Sequence, residues 1–170
     1  ADWVGSKDQD AKGTIRLLEL ADIGVNQFKD VSEKYINEET FDRLNCTELQ
    51  QGDLLIARLP RPIGRACIFP ETSERCVTSV DVAIARNGTS GVNPQYLVHA
   101  MNSTRIQKKV FAAAAGVTRK RVSTGNLRKI IIPVPPLAEQ IRIVAKVSEL
   151  MKLLDDLEES LESKEITLSN

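Results

Sequence analysis

The sequence predicts an α+β fold in which a mixed, β-rich domain is followed by a long C-terminal coiled-coil helix. Within residues 14–134, short apolar runs are separated by turn-forming residues, and the predicted strands outnumber the predicted helices. From residue 137 onward the apolar residues instead recur every 3.5 positions, the period of a helix that packs along another helix. These two patterns divide the chain into a domain over residues 1–134 and a helical extension over residues 135–170.

Turns and a capping residue define the elements in the first half of the domain. Residues 14–20 alternate in polarity, which predicts a strand, and residues 38–44 predict a short helix with Asn37 as its N-cap. A Gln-Gly-Asp turn precedes a buried strand over residues 54–57, and a proline-braced loop leads to a returning strand over residues 65–69. The last two strands are therefore expected to form a hairpin.

The second half of the domain combines strands with two helices. Residues 77–85 predict one strand that is closed by a turn at Asn87-Gly88. Pro94 opens a helix, because proline is favoured at the first helical position, and a second helix runs over residues 104–114 until a glycine ends it. Residues 130–134 predict a final strand before the proline-rich segment that leads to the long helix.

The C-terminal helix carries an apolar seam that has no visible partner in the sequence. Its members are spaced by 4, 3, 4, 3 and 4 residues: Ile143, Val147, Leu150, Leu154, Leu157 and Leu161. A helix over residues 137–166 is about 45 Å long and exposes too much apolar surface to stand alone in water. We expect the seam to pack on the helix of a second copy; the alternative is that it folds back on its own domain.

The charges are unevenly distributed although the formal net charge is zero. Residues 1–81 hold 15 acidic and 10 basic side chains, and residues 139–170 hold 8 acidic and 4 basic ones. Residues 82–138 contain no acidic residue but nine basic ones: Arg86, Arg105, Lys108, Lys109, Arg119, Lys120, Arg121, Arg128 and Lys129. This stretch favours a phosphate-binding surface, because solvated surfaces usually mix both signs of charge. The alternative is a set of cations that serves only solubility.

The sequence argues against catalysis by this chain. Its one histidine, His99, lies within a predicted helix without an identifiable nucleophile beside it, and neither a GxxxxGK[ST] phosphate loop nor a GxGxxG turn occurs. The widely spaced Cys46, Cys67 and Cys76 form no CxxC pair, so we predict thiols in a reducing cytoplasm. We also expect no metal, no cofactor and no membrane span, since the apolar runs are too short to cross a bilayer.

Several segments together resemble the DNA-specificity subunit of type I restriction–modification systems. They are Gly-Asp-Leu-Leu-Ile-Ala-Arg at 52–58, Ile-Gly-Arg at 63–65, Gly-Val-Thr-Arg-Lys-Arg-Val at 116–122, and Ile-Ile-Ile-Pro-Val-Pro-Pro-Leu-Ala-Glu-Gln-Ile at 130–141. The resemblance extends from about Ile15 to Leu161, and its last segment is the most specific. A complete subunit of this family has two recognition domains and two helices, whereas this chain has one of each. We therefore expect a half-subunit, a fragment or a shortened relative.

The resemblance implies a function for both parts of the chain. Residues 1–134 would be a target recognition domain for one part of a bipartite site in double-stranded DNA, and residues 135–170 would be a spacer and dimerisation helix. The family also implies methyltransferase subunits and, through them, restriction subunits as partners. A second specificity half, in a homodimer or elsewhere, would cover the seam. The chain would then be the non-catalytic specificity component that directs the enzyme subunits to DNA.

Candidate DNA-contacting residues are basic side chains on stiff loops or on one helix face. Arginine can donate two hydrogen bonds to guanine, and cations beside a hydroxyl suit backbone phosphates. The candidates are Arg58, Arg61 and Arg65 in the proline-braced hairpin, Arg105, Lys108 and Lys109 on a helix, and Thr118, Arg119, Lys120 and Arg121 after Gly116. Alternatively, the hairpin arginines form ion pairs with the acidic first part of the chain.

Two classes of function fit the sequence. The first is a DNA-recognition module within a modification and restriction assembly. The second is a protein-interaction adaptor that dimerises through its helix and carries its basic charge incidentally. Salt dependence separates them, because phosphate contacts weaken steeply with salt whereas coiled-coil association barely changes.

Overall fold

A computed structural model of the chain describes residues 3–59, 62–86 and 91–168, with the side chains of the last helix described as far as Leu161. The strands are β1 (Ile15–Leu18), β2 (Lys34–Ile36), β3 (Leu54–Ala57), β4 (Ala66–Ile68), β5 (Arg75–Thr78) and β6 (Val82–Ala85). The helices are α1 (Glu38–Arg43), α2 (Pro94–Asn102), α3 (Thr104–Ala112), α4 (Thr124–Leu127) and α5 (Leu137–Leu168). The mixed strands followed by one long helix confirm the predicted α+β class. The division into a domain and an extension at residue 135 stays a prediction.

The strands form two three-stranded sheets. In the first sheet, β1 lies between β2 and β5, antiparallel to β2 and parallel to β5. In the second sheet, β3 lies between β4 and β6 and is antiparallel to both. The pairing of β3 with β4 confirms the predicted hairpin.

The two sheets pack face to face, and helices cover their outer faces. The core between the sheets contains Leu18, Leu55, Ala57, Cys67, Cys76 and Val82. Helix α1 and its following turn cover the first sheet through Phe41 and Leu44. Helices α2 and α3 cover the second sheet through Val98, Met101, Ile106 and Val110. Because both faces of the second sheet are covered, all four residues of β3 are buried, which accounts for its uninterrupted apolar sequence.

Side-chain caps start two of the helices where the sequence predicts them. The Asn37 side-chain oxygen accepts a hydrogen bond of 2.9 Å from the backbone N–H of Thr40 in α1. Pro94 lies in the first turn of α2, and the Asn93 side chain accepts from the backbone N–H of Tyr96 at 3.1 Å. These bonds satisfy N–H groups that have no partner within the helix.

The predicted single strand over residues 77–85 is wrong, because two strands occupy this region. Strand β5 ends at Thr78, a tight turn closes with a hydrogen bond of 3.1 Å from the Val82 N–H to the Ser79 carbonyl, and β6 begins in the other sheet. Alternating polarity is a local pattern and carries no information about which sheet a residue joins. The turn predicted at Asn87-Gly88 lies outside the described residues.

The strand predicted over residues 130–134 is also wrong, because these residues belong to no strand. Three prolines at positions 133, 135 and 136 lack the N–H group that a strand ladder requires. A side chain holds this segment instead: the Tyr96 hydroxyl donates to the Pro133 carbonyl at 2.6 Å. The short strand β2 and the one-turn helix α4 are present without having been predicted.

The buried side chain of Gln140 fixes the start of α5 to the domain. Its carbonyl oxygen accepts from the Asn93 N–H at 2.7 Å, and its amide nitrogen donates to the carbonyls of Gly91 at 3.0 Å and Pro135 at 2.7 Å. Gln140 is fully buried, so breaking any of these bonds would leave polar groups without water. The first turn of the long helix is therefore held against the loop that precedes α2.

Substitution of Gly64 by alanine tests how tightly the β3–β4 hairpin packs on α3. Gly64 and Gly52 both have a left-handed backbone conformation, with φ values of +81° and +87°. Their surroundings differ: a Cβ atom added at Gly64 would lie 2.6 Å from Val110 Cγ1, whereas one added at Gly52 would meet open space. We expect Gly52→Ala to lower the free energy of unfolding by about 1–2 kcal/mol through backbone strain alone. Gly64→Ala should cost about 1–3 kcal/mol more through overpacking. Equal losses in urea unfolding would contradict this close packing.

Candidate nucleic-acid interface

A short loop after α3 presents basic residues to solvent. Residues 116–120 form this loop, and Ala115 and Arg121 close its base through two backbone hydrogen bonds of 3.0 and 2.8 Å. Thr118 and Arg119 are exposed within it. We call residues 116–120 the basic loop; its paired base gives it a defined position on the domain.

A cation–π contact joins the basic loop to α3. The Lys120 ammonium lies 4.1 Å from the centre of the Phe111 ring, and this ring lines a shallow apolar depression together with Lys108. Arg105, Lys108 and Lys109 are exposed on successive turns of the same helix. The loop and the helix therefore form one continuous positive area. We define it as the basic surface, with five members: Arg105, Lys108, Lys109, Arg119 and Lys120.

The cations of the basic surface have no acidic partner among the described residues. Two other cations of the acid-free stretch do have one: Arg86 pairs with the buried carboxylate of Asp53 at 2.7 Å, and Arg121 pairs with Asp81 at 3.0 Å. Arg119 lies at the edge of the surface, beside a depression that it shares with Trp3 and Asp81. The positive potential of the basic surface is thus not neutralised within the described part of the domain.

The structure places Arg58 among backbone carbonyls. Its guanidinium donates to the Val122 carbonyl at 3.0 Å and to the Val80 carbonyl at 2.6 Å. Burial lowers the pKa of Arg58 from its usual value, but arginine stays charged in proteins. Through these two bonds, Arg58 connects the end of β3 to the turn before β6 and to the segment after the basic loop.

Arg65 has a similar arrangement at the other end of the hairpin. Its guanidinium donates to the carbonyls of Ile23, Leu20 and Pro62, and the residue is buried. The partners of Arg65 are carbonyls and not the acidic residues of the alternative ion pair, and its predicted base contact stays a prediction. Arg61, the third candidate of the hairpin, lies outside the described residues.

Arg121 stabilises the base of the basic loop. Its guanidinium donates to the Val80 carbonyl at 3.0 Å, in addition to its ion pair with Asp81. Val80 thus accepts hydrogen bonds from both Arg58 and Arg121. A role for Val80 had no signal in the sequence, because only its backbone carbonyl takes part. The roles of Gln140 and Phe111 were likewise not predicted, although Gln140 lies within a segment that carries the family resemblance.

The seam of α5 is uncovered in the single chain. Ile143 and Val147 are partly buried near the domain, whereas Leu150, Leu154, Leu157 and Leu161 are 49, 52, 59 and 61% exposed. The described part of α5 from residue 148 onward is exposed throughout. The alternative in which the helix folds back on its own domain is therefore not the arrangement found.

The structure gives the thiols a packing role. Cys67 and Cys76 are buried, and burial raises the pKa of these thiols to about 12 and about 11. Thiols with such pKa values are poor nucleophiles at neutral pH. Among the described residues, no three potential metal ligands are grouped, and no helix is both long and apolar enough to cross a bilayer.

Comparison with known proteins identifies the family. Residues 6–168 match the family model of the type I restriction modification DNA specificity domain. The chain belongs to this family. The match extends across both sheets and all of α5, slightly beyond the stretch from about Ile15 to Leu161 that the sequence resemblance predicted.

The relatives are specificity subunits that are much longer than this chain. A putative type I specificity subunit of Haemophilus influenzae, S.HindORF215P, is 30% identical over 139 residues, which cover 81% of this chain and 34% of the relative. The EcoEI specificity subunit of Escherichia coli is 23% identical over 71% of this chain and 21% of its own length. The chain thus spans about a third or less of these relatives.

A solved structure shares the fold. The HsdS subunit of Thermoanaerobacter tengcongensis aligns with a TM-score of 0.66 and 23% identity over 83% of this chain and 36% of the subunit. This likeness supports the arrangement of two sheets with a long helix. It shows that the two proteins share a fold.

Arg65 provides a test of the structural role assigned to the hairpin arginines. Arg65→Met keeps much of the side-chain volume but leaves the Ile23 carbonyl without a donor and removes one of two donors from the Leu20 and Pro62 carbonyls, so we expect a loss of about 1–3 kcal/mol in the free energy of unfolding. The exposed Arg105→Met should change it by less than about 0.5 kcal/mol. Urea unfolding of both variants measures the difference. A stable Arg65→Met variant that loses only DNA affinity would instead make Arg65 a contact residue.

Proposed function

We propose that this chain recognises double-stranded DNA as the specificity component of a type I restriction–modification system. The basic surface carries this proposal, because it presents five cations without acidic partners in the described structure. Phosphate oxygens are the natural counter-charges of such a surface, since lysine and arginine displace condensed cations from a duplex. In this proposal the chain contributes recognition and has no catalytic role of its own.

The structural role of Arg58, Arg65 and Arg121 divides the proposed interface into two layers. These three arginines bind backbone carbonyls within the domain, whereas the basic loop and α3 present their cations at its surface. Residues that contact phosphates position a protein on DNA without selecting its sequence. Base selection is assigned to side chains next to this surface, with Thr118 at the exposed loop as the first candidate.

We further propose that α5 joins two recognition domains into one reader of a bipartite site. Its exposed seam fits the helix of a second specificity half, supplied by a second copy of the chain. Antiparallel packing would place the two domains at opposite ends of the paired helices. Methyltransferase subunits, and restriction subunits through them, are the proposed partners of this assembly in the cytoplasm.

A protein-interaction adaptor with incidental basic charge is the second candidate function. The exposed seam favours it as much as it favours a DNA-binding dimer. The unpaired cations on α3 and the basic loop favour DNA, because an adaptor that works through its helix has no use for them. The experiments below separate the two candidates.

The first test removes three cations of the basic surface. Replacing Lys108, Arg119 and Lys120 with alanine should weaken binding to every duplex alike, and the slope of log K against log salt should fall by about 0.9 for each lost phosphate contact. Fluorescence anisotropy with a random-sequence duplex at several salt concentrations measures both effects.

The matched control removes three exposed lysines from the acidic half of the domain. Lys7, Lys12 and Lys29 are exposed, and their replacement by alanine changes the net charge by the same amount. This control should bind DNA almost as the natural chain does. Equal weakening in both triple variants would assign the effect to net charge and would contradict a localised surface.

The second test addresses the helix. Leu154→Glu combined with Leu157→Glu places two charges in the seam, and we expect it to convert a dimer to a monomer in sedimentation measurements. Ala145→Glu combined with Ser148→Glu adds the same charges to the outer face of α5 and should leave the dimer intact. A natural chain that is already monomeric at about 50 µM, within the range where such helices associate, would refute the dimer.

A further inference from the structure

Val117 is the most exposed large apolar residue in the described part of the chain. Its relative exposure is 103%, so the folded domain covers none of its side chain. Isolated apolar residues are common on protein surfaces, and exposure alone assigns no role to them. The position of Val117 is informative because it lies within the basic loop, directly before Thr118 and Arg119.

The basic loop holds Val117 in a defined position. Gly116 has a φ value of +116°, which side chains rarely allow, and a Cβ atom added there would lie 2.6 Å from the Arg119 carbonyl oxygen. The pairing of Ala115 with Arg121 closes the base of the loop, and residues 117–119 form its bend. Val117 is therefore presented to solvent by a loop whose shape depends on a glycine and on a paired base.

The width of the loop determines which groove of a duplex it fits. Ala115 and Arg121 form an antiparallel pair with two backbone hydrogen bonds, in which the Cα atoms are about 5.5 Å apart. Two backbones at this spacing, with their side chains, are too wide for a minor groove of about 6 Å, whereas the major groove of about 12 Å admits a two-stranded ribbon. Contacts of Arg119 and Lys120 with phosphates would thus leave the bend in the major groove.

The side chain of Val117 restricts what it can contact there. In the major groove the base edges present hydrogen-bond donors and acceptors, and thymine adds an apolar C5-methyl group. Valine has no polar side-chain atom, so packing it against a donor or acceptor would leave that group without a partner. Contact with the thymine methyl group instead buries apolar area on both molecules.

We propose that Val117 contacts the C5-methyl group of a thymine in the major groove, so that the recognised sequence contains an A·T pair at that position. This assignment rests on the DNA recognition of the proposed function and names one base contact within it. Val117 supplies an apolar contact, and the adjacent Thr118 supplies a hydroxyl for hydrogen bonds to a neighbouring base edge.

Replacement of thymine by deoxyuridine tests the contact, because it removes only the methyl group. Selection from a randomised duplex library with the full chain first supplies a bound sequence, and its thymines are then replaced one at a time. At one position we expect the natural chain to bind about fourfold more weakly, which is the effect of losing one buried methyl group. Val117→Ala should bind the two duplexes equally at that position in fluorescence anisotropy.

Two controls distinguish a direct contact from a disturbed loop. Val31→Ala makes the same deletion at a valine that is 55% exposed in the acidic first part of the chain, and it should keep the fourfold ratio. Val117→Ala should keep the salt slope of the natural chain, because its phosphate contacts are retained. A lower slope together with a lost ratio would show that the loop itself has changed and would overturn the direct contact.

The outcomes separate the methyl contact from DNA recognition. The contact is overturned, and the proposed function is not, if the selected sequence lacks thymine, if every deoxyuridine duplex binds as tightly as its thymine counterpart, or if Val117→Ala keeps the ratio. A chain that binds duplexes but selects no sequence overturns both the contact and the sequence recognition of the proposed function. A chain that binds no duplex overturns the proposed function as a whole.

Discussion

The hydrogen bonds of one buried amide govern how the parts of this molecule are related. Gln140 joins the first turns of α5 to the loop before α2, and α2 packs on the second sheet. An amide with no exposure and three short bonds has few alternative positions, because each broken bond would leave a buried polar group unpaired. This arrangement sets the direction in which the long helix leaves the domain. It therefore also sets the distance between the domain and anything that binds farther along the helix.

The cations of the domain serve two different purposes. Arg58, Arg65 and Arg121 use their planar donors to bind backbone carbonyls of the irregular segments. The lysines and arginines of α3 and Arg119 of the basic loop are exposed, and the half-buried Lys120 lies over the ring of Phe111. A positive surface on a braced loop suits phosphate binding because the cost of ordering the loop has already been met in folding.

Much of this protein was determined by the sequence through local chemistry. The cap at Asn37, the proline that opens α2, the β3–β4 hairpin and the seam of α5 depend on residues within a few positions of one another, and the structure contains all four. The resemblance to a DNA-specificity family also depended on short contiguous segments, and the family match confirmed it.

Only the tertiary structure decided which side chains are free to act. An arginine in a stiff loop looks available for DNA in the sequence, but the carbonyls that occupy Arg65 belong to residues as many as 45 positions away. The division of residues 77–85 between two sheets and the burial of Gln140 likewise depend on distant neighbours. Periodicity and charge report what a residue can do, whereas long-range packing determines which partner reaches it first. This is why the fold class was predictable and the hydrogen-bond partners of Arg65 and Gln140 were not.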